Sequence, residues 1–426
     1  MEKVLRLGRV DADVAYGKAE REAFLRYYHH PHGFHRHEVR FRDDTRNCWY
    51  PWEHLAGNRV REHTRFLHAA GFMPNATHDG IYGYVTQAAT RLFQEYVRTI
   101  DRPEAHRRRD PPSWPDGVVG TDTLHYRAEW ERDNRVCRWA APGEATPDYL
   151  RWMAYLPRVA QYYADKPGPE LEALASAEHR GDSLLPAAWT FDADEVHLIG
   201  IRLGADRAPD GDRRAPDDLF VLLVNGRSFY FWGSTDANPA PGREGYLIET
   251  QHRYRLDWHN IGTGRRDRIY KAARPAGAGV MVIRDVHDHD ALTTANRRNG
   301  FDPVPNPTFN IHWSGLGISN WSAGCQVASG KNYVNDTGDL ISCVDYAART
   351  DRERGRRRST GGPRLTMGAY TVLSDLVLCY TPRPDLTKKP TFPYTLLGEA
   401  TFDRVPGMDR TELADRVDLL REAGYY

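Results

Sequence analysis

The chain has 426 residues, enough for about two or three domains that each bury a core. Lys and Arg together number 58, and so do Asp and Glu, so no overall positive field attracts nucleic acid or an anionic membrane surface. No apolar run approaches the length that spans a bilayer, and the N-terminus lacks a basic segment followed by an apolar one. We therefore expect no nucleic-acid partner, no membrane partner and no visible signal peptide.

Residues 1–50 are predicted to form an N-terminal extension. They include a histidine-rich run from His29 to His37. Imidazoles at this density can bind metal, but the run contains no Asp, Glu or Cys and its spacing matches no common ligand pattern. A solvated loop is the favoured interpretation.

Residues 51–100 are predicted to form two short helices around a turn. Apolar residues recur at helical spacing until Gly71, a residue type that closes helices. Asp79 and Gly80 favour a turn, and a second helical stripe follows it. The order of these features, together with Tyr82-Gly83 and Phe93-Gln94, resembles the peptidoglycan-binding domain type 1 family. The resemblance implies a small wall-binding module; an ordinary helical hairpin is the alternative.

The next two segments are predicted to connect this module to the rest of the chain. Residues 101–146 are rich in Arg, Asp and Pro and are predicted to be a linker. Residues 147–190 are predicted to be a helical connector, whose amphipathic helix is bent or ended by Pro157.

Residues 191–385 are predicted to be mainly β-structure. Alternating and apolar runs indicate strands at 196–203, 219–224, 228–232, 279–284 and 308–313. Asn225-Gly226 between two of these runs favours a tight hairpin turn. Short strands with long connections indicate a sandwich or a mixed sheet and not alternating parallel units. Residues 386–426 are predicted to be a C-terminal tail with a short helix.

The residues that point most clearly to chemistry lie between 309 and 327. A predicted strand carries His312, and a turn of small residues, Ser322-Ala323-Gly324, precedes Cys325. A cysteine nucleophile needs a nearby base to form the thiolate, and small neighbours let backbone N–H groups point at a developing oxyanion. The intervening loop is long enough to fold back, so we predict Cys325 as nucleophile and His312 as base.

This stretch resembles the L,D-transpeptidase (YkuD-like) catalytic domain, whose motif is a strand-borne histidine followed by Ser-x-Gly-Cys. The resemblance implies a thioester between the cysteine and a stem peptide of peptidoglycan, and then acyl transfer to an amine, with no cofactor. The chain departs from the usual motif in three ways. Gln326-Val327 stand where Ile-Arg is usual, Ala323 replaces a histidine, and the loop from histidine to cysteine is shorter. The fold class predicted is α+β multidomain, with the helical peptidoglycan-binding-like module before a β-rich catalytic domain.

The predicted site contains catalytic and substrate-binding residues. The catalytic set is Cys325, His312, Ser314, Ala323 and Gly324. The substrate-binding set is Ser322, Trp313, Trp321, Gln326, Arg253 and Arg255. The two arginines belong to an alternating polar and aromatic strand that can line the cleft, with Arg253 or Arg255 facing a carboxylate.

Several alternatives remain open at this point. Cys325 and His312 can be ordinary core residues, or Cys325 can form a disulfide with Cys343. The loop at 285–290 carries alternating Asp and His that can bind a cation, although it lacks the glycine and the late glutamate of an EF-hand loop, and no metal is predicted.

The function classes that survive are an acyltransferase, a wall-peptide hydrolase on the same scaffold, and a non-catalytic peptidoglycan-binding protein. The nucleophile does not separate the first two, because both form an acyl-enzyme and differ in whether an amine or water attacks it. The predicted partner is peptidoglycan, and the oligomeric state is left open. Without a visible signal peptide, we expect delivery to the wall by a phage particle, by host lysis or by a dedicated secretion machine.

Overall fold

A computed structural model describes most of the chain, in separate ranges. The described residues are 4–14, 53–76, 78–103, 114–140, 143–203, 217–236, 245–259, 270–284, 297, 300–317, 322, 324–349, 366–382 and 391–423. The histidine-rich run at 29–37 and the loop at 285–290 lie outside them. The described residues form a mixed α+β structure, with helices around a large barrel-like sheet.

The strands are short and come from most of the chain. In chain order they are β1 (Arg9–Val10), β2 (Glu53–His54), β3 (Ser183–Leu184), β4 (His197–Arg202), β5 (Asp218–Val224), β6 (Arg227–Ser234), β7 (Gly245–Leu247), β8 (Gln251–His259), β9 (Tyr270–Pro275), β10 (Val282–Arg284), β11 (Ile311–Trp313), β12 (Gln326–Val334), β13 (Leu340–Ser342) and β14 (Thr391–Gly398).

Within the described residues, ten of these strands form one sheet in the order β11-β9-β8-β14-β4-β5-β6-β12-β13, with β3 attached to β8. Strand β11 pairs with both β9 and β12, so the sheet closes on itself like a barrel. The β11–β12 and β14–β4 pairs are parallel, whereas the others in this ring are antiparallel. The prediction of a mixed β-rich region is therefore confirmed.

The hairpin between β5 and β6 forms as predicted. Val224 pairs with Arg227, which leaves Asn225 and Gly226 as a two-residue turn. Their φ angles of 45° and 74° are the left-handed values that a type I′ turn requires, which Asn and Gly adopt at low cost.

The described residues also form eight α-helices. In chain order they are α1 (Arg59–Ala69), α2 (Tyr84–Tyr96), α3 (Thr121–Arg132), α4 (Pro147–Asp165), α5 (Pro169–Ser176), α6 (Ala369–Tyr380), α7 (Ala400–Arg404) and α8 (Arg410–Glu422). Helix α1 ends where the sequence predicts, and Gly71 follows it with a φ of 84°. In the part of the chain that the structure describes, no helix combines the length and apolar character needed to cross a membrane.

The segment 101–146 differs from the predicted linker. Its described part contains α3, and Trp130 and Trp139 are buried. Trp130 lies 5.6 Å from Phe72 between ring centroids, and Trp139 lies 4.9 Å from Tyr96. Composition favoured a linker because charged residues and prolines outnumber the aromatics, but two buried indoles are enough to anchor the segment to the helical module.

Two further sequence predictions are corrected by the C-terminal strand and by α4. Strand β14 lies between β8 and β4 in the sheet, so the predicted boundary at 385 separates a strand from its own sheet. A closed sheet takes strands from distant parts of a chain, and local alternation does not show this. Helix α4 also continues through the exposed Pro157, because Leu156 and Val159 beside it are buried against the sheet.

The helical module shares one apolar core with the sheet. Phe72 and Phe93 from the module belong to the same buried cluster as Phe229 and Tyr333 from the sheet. Helix α2 also packs along α6, and Arg91 of α2 forms a two-pronged ion pair with the buried Asp375, at 2.6 and 3.0 Å. The module is therefore continuous with the sheet in packing, although the sequence predicts separate domains.

Candidate functional site

The thiol of Cys325 lies beside the backbone that leads into β11. Gln326 and Ile311 are paired in parallel strands, so Cys325 and Asn310 are the residues just before that pair. The backbone N–H of Asn310 donates to Sγ of Cys325 at 3.3 Å, and the thiol lies 3.4 Å from the carbonyl oxygen of Thr308. The thiol is half-buried, which leaves one side open to a reacting carbonyl.

His312 lies in β11, two residues after Asn310. Two residues of strand span about 7 Å, so the backbone of His312 lies about that far along β11 from Asn310, whose N–H contacts the thiol. Between His312 and Cys325, both of which are described, the structure shows no direct hydrogen bond. Catalytic hydrogen bonds are often long in unliganded enzymes and shorten when substrate binds, so the missing hydrogen bond does not by itself exclude the pair.

The hydrogen bonds of His312 determine which ring nitrogen carries the proton. Nδ1 lies 3.0 Å from the carbonyl oxygen of Trp313, and a carbonyl oxygen only accepts. Nδ1 must therefore carry the proton and donate it. The hydroxyl of Tyr270 also lies 3.2 Å from Nδ1 and is 3.3 Å from the same carbonyl oxygen. In the neutral ring, Nε2 then keeps its lone pair, as a general base requires.

A second histidine, His259 at the end of β8, stacks on His312. The ring centroids are 4.4 Å apart and the planes differ by 22°. Burial and the charge that His312 can carry lower the pKa of His259 to about 2, and burial lowers the pKa of His312 below its usual value. Both rings are therefore uncharged near neutral pH. Nδ1 of His259 also lies 3.3 Å from the side-chain amide nitrogen of Asn310.

Opposing effects act on the thiol of Cys325. Burial raises its pKa above the ordinary value, because an anion is poorly solvated there. The N–H of Asn310, a hydrogen bond from Ser322 and the positive charge of Arg274 favour the thiolate and partly offset that rise. The resting site therefore contains a protonated thiol and a neutral imidazole, so that nucleophilic attack by the thiol would require a base.

Gly324, the residue before Cys325, lies where neighbouring segments pack closely. A side-chain carbon added at Gly324 would lie 3.1 Å from the ring of Phe309 and 3.6 Å from the carbonyl oxygen of Gly245. Three segments therefore approach one another closely at Gly324.

The hydroxyl and the N–H of Ser314 both donate to the carbonyl oxygen of Ala328. Ser314 therefore holds β11 to β12 just past His312.

The structure separates the other sequence-predicted residues into three groups. Ser322 lies at the thiol, whereas Ala323 and Trp321 lie outside the described residues. Trp313 and Gln326 are buried in the interior, and Gln326 accepts a hydrogen bond from Tyr394. Their side chains therefore contribute to the core and not to the open side of the thiol.

The two arginines of β8 have partners of their own. Arg253 donates to the hydroxyl of Thr190 at 2.8 Å and lies 3.6 Å from Glu195. Arg255 forms an ion pair of 3.0 Å with the buried Asp257. Both guanidinium groups are therefore engaged in contacts within the protein.

The structure bears on two alternatives, a disulfide between Cys325 and Cys343 and a metal site. Cys325 and Cys343 are both free thiols, and the buried Cys343 accepts a hydrogen bond of 3.0 Å from Tyr346. Across the described ranges, no group of three or more His, Cys, Asp or Glu side chains is arranged to hold a metal ion.

Sequence reasoning missed His259, Tyr270, Arg274 and Asn310. A signal for the first was present, because polar residues occupy alternate positions from Gln251 to His259 along β8. No local pattern pointed to the other three, since strand pairing places them near Cys325 or His312. Comparisons of the chain with protein-family models, curated proteins and solved structures found no match.

Proposed function

We propose that this chain is a cysteine-dependent acyltransferase that acts on stem peptides of peptidoglycan. The observation that carries the proposal is the arrangement of His312, whose Nδ1–H is held by the carbonyl oxygen of Trp313, while Asn310, two residues earlier, donates its backbone N–H to the thiol of Cys325. A neutral imidazole with a lone pair on Nε2, in the strand next to a half-buried thiol, supports the roles of base and nucleophile.

The proposed reaction has two steps. In the first, Nε2 of His312 takes the thiol proton while Sγ of Cys325 attacks an amide carbonyl of the donor peptide. The carbon–nitrogen bond breaks, the leaving amine takes the proton back from the imidazolium, and a thioester remains. In the second step an acceptor amine attacks the thioester and passes a proton to His312, the carbon–sulfur bond breaks, and the thiolate regains that proton.

The substrate class rests on the sequence resemblance. Ser322, Gly324 and Cys325 match the Ser-x-Gly-Cys motif, and the helices on either side of Asp79-Gly80 resemble a wall-binding module. The helical boundaries and the turn are compatible with that resemblance, because the side chain of Asp79 accepts from the N–H of Ile81 at 2.9 Å. In this proposal the helical module and the sheet bind the same strand of the wall substrate.

Product analysis tests the proposal. Purified protein is incubated with muropeptide tetrapeptides and with an added D-amino acid, and the products are identified by mass spectrometry. The proposal predicts D-amino acid exchange or new cross-links that are lost in Cys325→Ala. Shortened peptides without any amine adduct would assign the site to a hydrolase instead. Unchanged muropeptides with a folded protein would reject both activities.

A further inference from the structure

Three buried tyrosines hold the segment that carries His312. Their hydroxyl groups lie at alternate carbonyl oxygens of residues 309–313: Tyr254 is 3.0 Å from that of Phe309, Tyr370 is 3.2 Å from that of Ile311, and Tyr270 is 3.3 Å from that of Trp313. A carbonyl oxygen only accepts, so the hydroxyl is the donor in each contact. The three tyrosines belong to β8, α6 and β9. The backbone on both sides of His312 is therefore held by side chains from three other elements.

Of these three tyrosines, Tyr270 is the one whose hydroxyl also lies within hydrogen-bond distance of the imidazole of His312. Its oxygen is 3.2 Å from Nδ1, and Nδ1 is 3.0 Å from the carbonyl oxygen of Trp313. Because Tyr270 donates its own proton to that carbonyl, its hydroxyl oxygen acts as a second acceptor for Nδ1–H. The ring of His259 stacks on one face of the imidazole, with the ring centroids 4.4 Å apart. The imidazole is therefore held both at its Nδ1 edge and on one face.

The contact between Tyr270 and Nδ1 should strengthen when His312 is protonated. A proton on Nε2 turns the ring into an imidazolium, whose positive charge is shared by Nδ1–H. Hydrogen bonds that involve a charged group are roughly twice as strong as neutral ones. The oxygen atoms of Tyr270 and Trp313 at Nδ1 therefore stabilise the imidazolium more than they stabilise the neutral ring.

We infer that Tyr270 is a positioning residue for His312: its hydroxyl holds Nδ1–H beside the carbonyl of Trp313 and stabilises the imidazolium that forms when Nε2 accepts a proton. This inference rests on the proposed function, in which His312 is the base for Cys325. Tyr370 is the matched comparison, because it is a buried tyrosine whose hydroxyl lies at the carbonyl oxygens of Ile311 and Lys271. Its ring also packs edge-on against that of Tyr270, at 6.2 Å between centroids.

The first measurement is nuclear magnetic resonance of the full chain with nitrogen-15 in its histidine rings. The signals of His312 are identified by their loss in His312→Asn. In the unsubstituted protein we expect a protonated Nδ1 and an unprotonated Nε2. Tyr270→Phe removes an acceptor from Nδ1–H and should shift the Nδ1 signal, whereas Tyr370→Phe should leave it in place. This comparison reports the contact itself and does not depend on any activity of Cys325.

The second measurement is the rate at which iodoacetamide labels Cys325 at pH 7, with peptide mapping to locate the label. If His312 takes the thiol proton, Tyr270→Phe should slow labelling by about fivefold, which is roughly the difference between a charged and a neutral hydrogen bond. In the His312→Asn background the same substitution should have no effect, because Tyr270 acts through His312. Tyr370→Phe should change the labelling rate less than Tyr270→Phe does.

The outcomes separate the inference from the proposed function. A proton on Nε2 in place of Nδ1 in the unsubstituted protein overturns the inference, and this result requires no variant at position 270. An Nδ1 signal that is unchanged in Tyr270→Phe, or that changes equally in Tyr370→Phe, also overturns it. Slower labelling that persists in the His312→Asn background gives Tyr270 a purely structural role and overturns it as well. If the Nδ1 signal responds to Tyr270→Phe alone but His312→Asn is labelled at the unsubstituted rate, Tyr270 positions His312 and the proposed pairing of His312 with Cys325 is what fails.

Discussion

Replacing Tyr333 by Phe tests whether the helical module and the sheet form one folding unit. The hydroxyl of Tyr333, in β12, donates to Glu95 of α2 at 2.6 Å, and both residues are buried. Glu95 is also held by Arg98, with hydrogen bonds at 2.9 and 2.5 Å. A buried hydrogen bond to a charged group is worth roughly 1.5–3 kcal/mol, so Tyr333→Phe should lower the free energy of unfolding by about 2 kcal/mol.

The measurement is urea unfolding followed by tryptophan fluorescence and by far-ultraviolet circular dichroism. The comparison variant is Tyr346→Phe, whose hydroxyl is 3.4 Å from the same carboxylate and donates at 3.0 Å to the thiol of Cys343; because thiols accept weakly, this change should cost only about 1 kcal/mol. The two spectroscopic transitions should coincide in every form, because one apolar core contains residues of both parts. A loss below about 0.5 kcal/mol in Tyr333→Phe, or separate transitions for the two probes, would refute the shared-core account.

Three further predictions concern the site and the module. Burial lowers the pKa of His312 below its usual value, so the unprotonated imidazole that can act as a base persists down to about pH 6.5. The rate of acyl-enzyme formation is compared between the unsubstituted protein and His312→Asn. The ratio of the two rates should stay constant from pH 8 to about 6.5. A drop in that ratio with a midpoint above 6.5 contradicts this. Gly324→Ala should cost about 1–3 kcal/mol in urea unfolding and slow thioester formation, because the added carbon meets Phe309 at 3.1 Å; unchanged stability and rate would show that the close approach is unimportant. Residues 53–101 expressed alone should lack a cooperative thermal transition, since their apolar face packs on α6 and the sheet; a sharp transition in the isolated fragment would argue for an independent module.

Local elements were predictable because their signals are local. The end of α1 before Gly71 and the turn at Asn225-Gly226 follow from the conformational preferences of those residues, and both form where expected. The module's connection to the sheet was not predictable in this way. It depends on Trp139 and Tyr333 meeting residues far away in sequence, and composition alone assigned the first of these to a linker.

The same distinction between local and long-range signals applies to the residues of the candidate site. Spacing and small neighbours identify Cys325 and His312 as candidates, and strand pairing in the structure then adds contacts that spacing does not contain. Arg274 lies across from Asn310 because β9 pairs with β11, and His259, in the strand beyond β9, stacks on His312. Gln326 shows the converse, since the residue next to the nucleophile faces the core as strand alternation requires.

The central claim is that Cys325 forms a covalent acyl-enzyme with His312 as its base. Intact-protein mass spectrometry after rapid mixing with a muropeptide tetrapeptide measures this directly, with peptide mapping to locate the modified residue. We expect a mass increase equal to that of the donor acyl group, located on Cys325. Hydroxylamine should remove this acyl group. The adduct should form more slowly in His312→Asn and should not form in Cys325→Ala. An adduct that forms on another residue, or that forms at the same rate in His312→Asn, would contradict it.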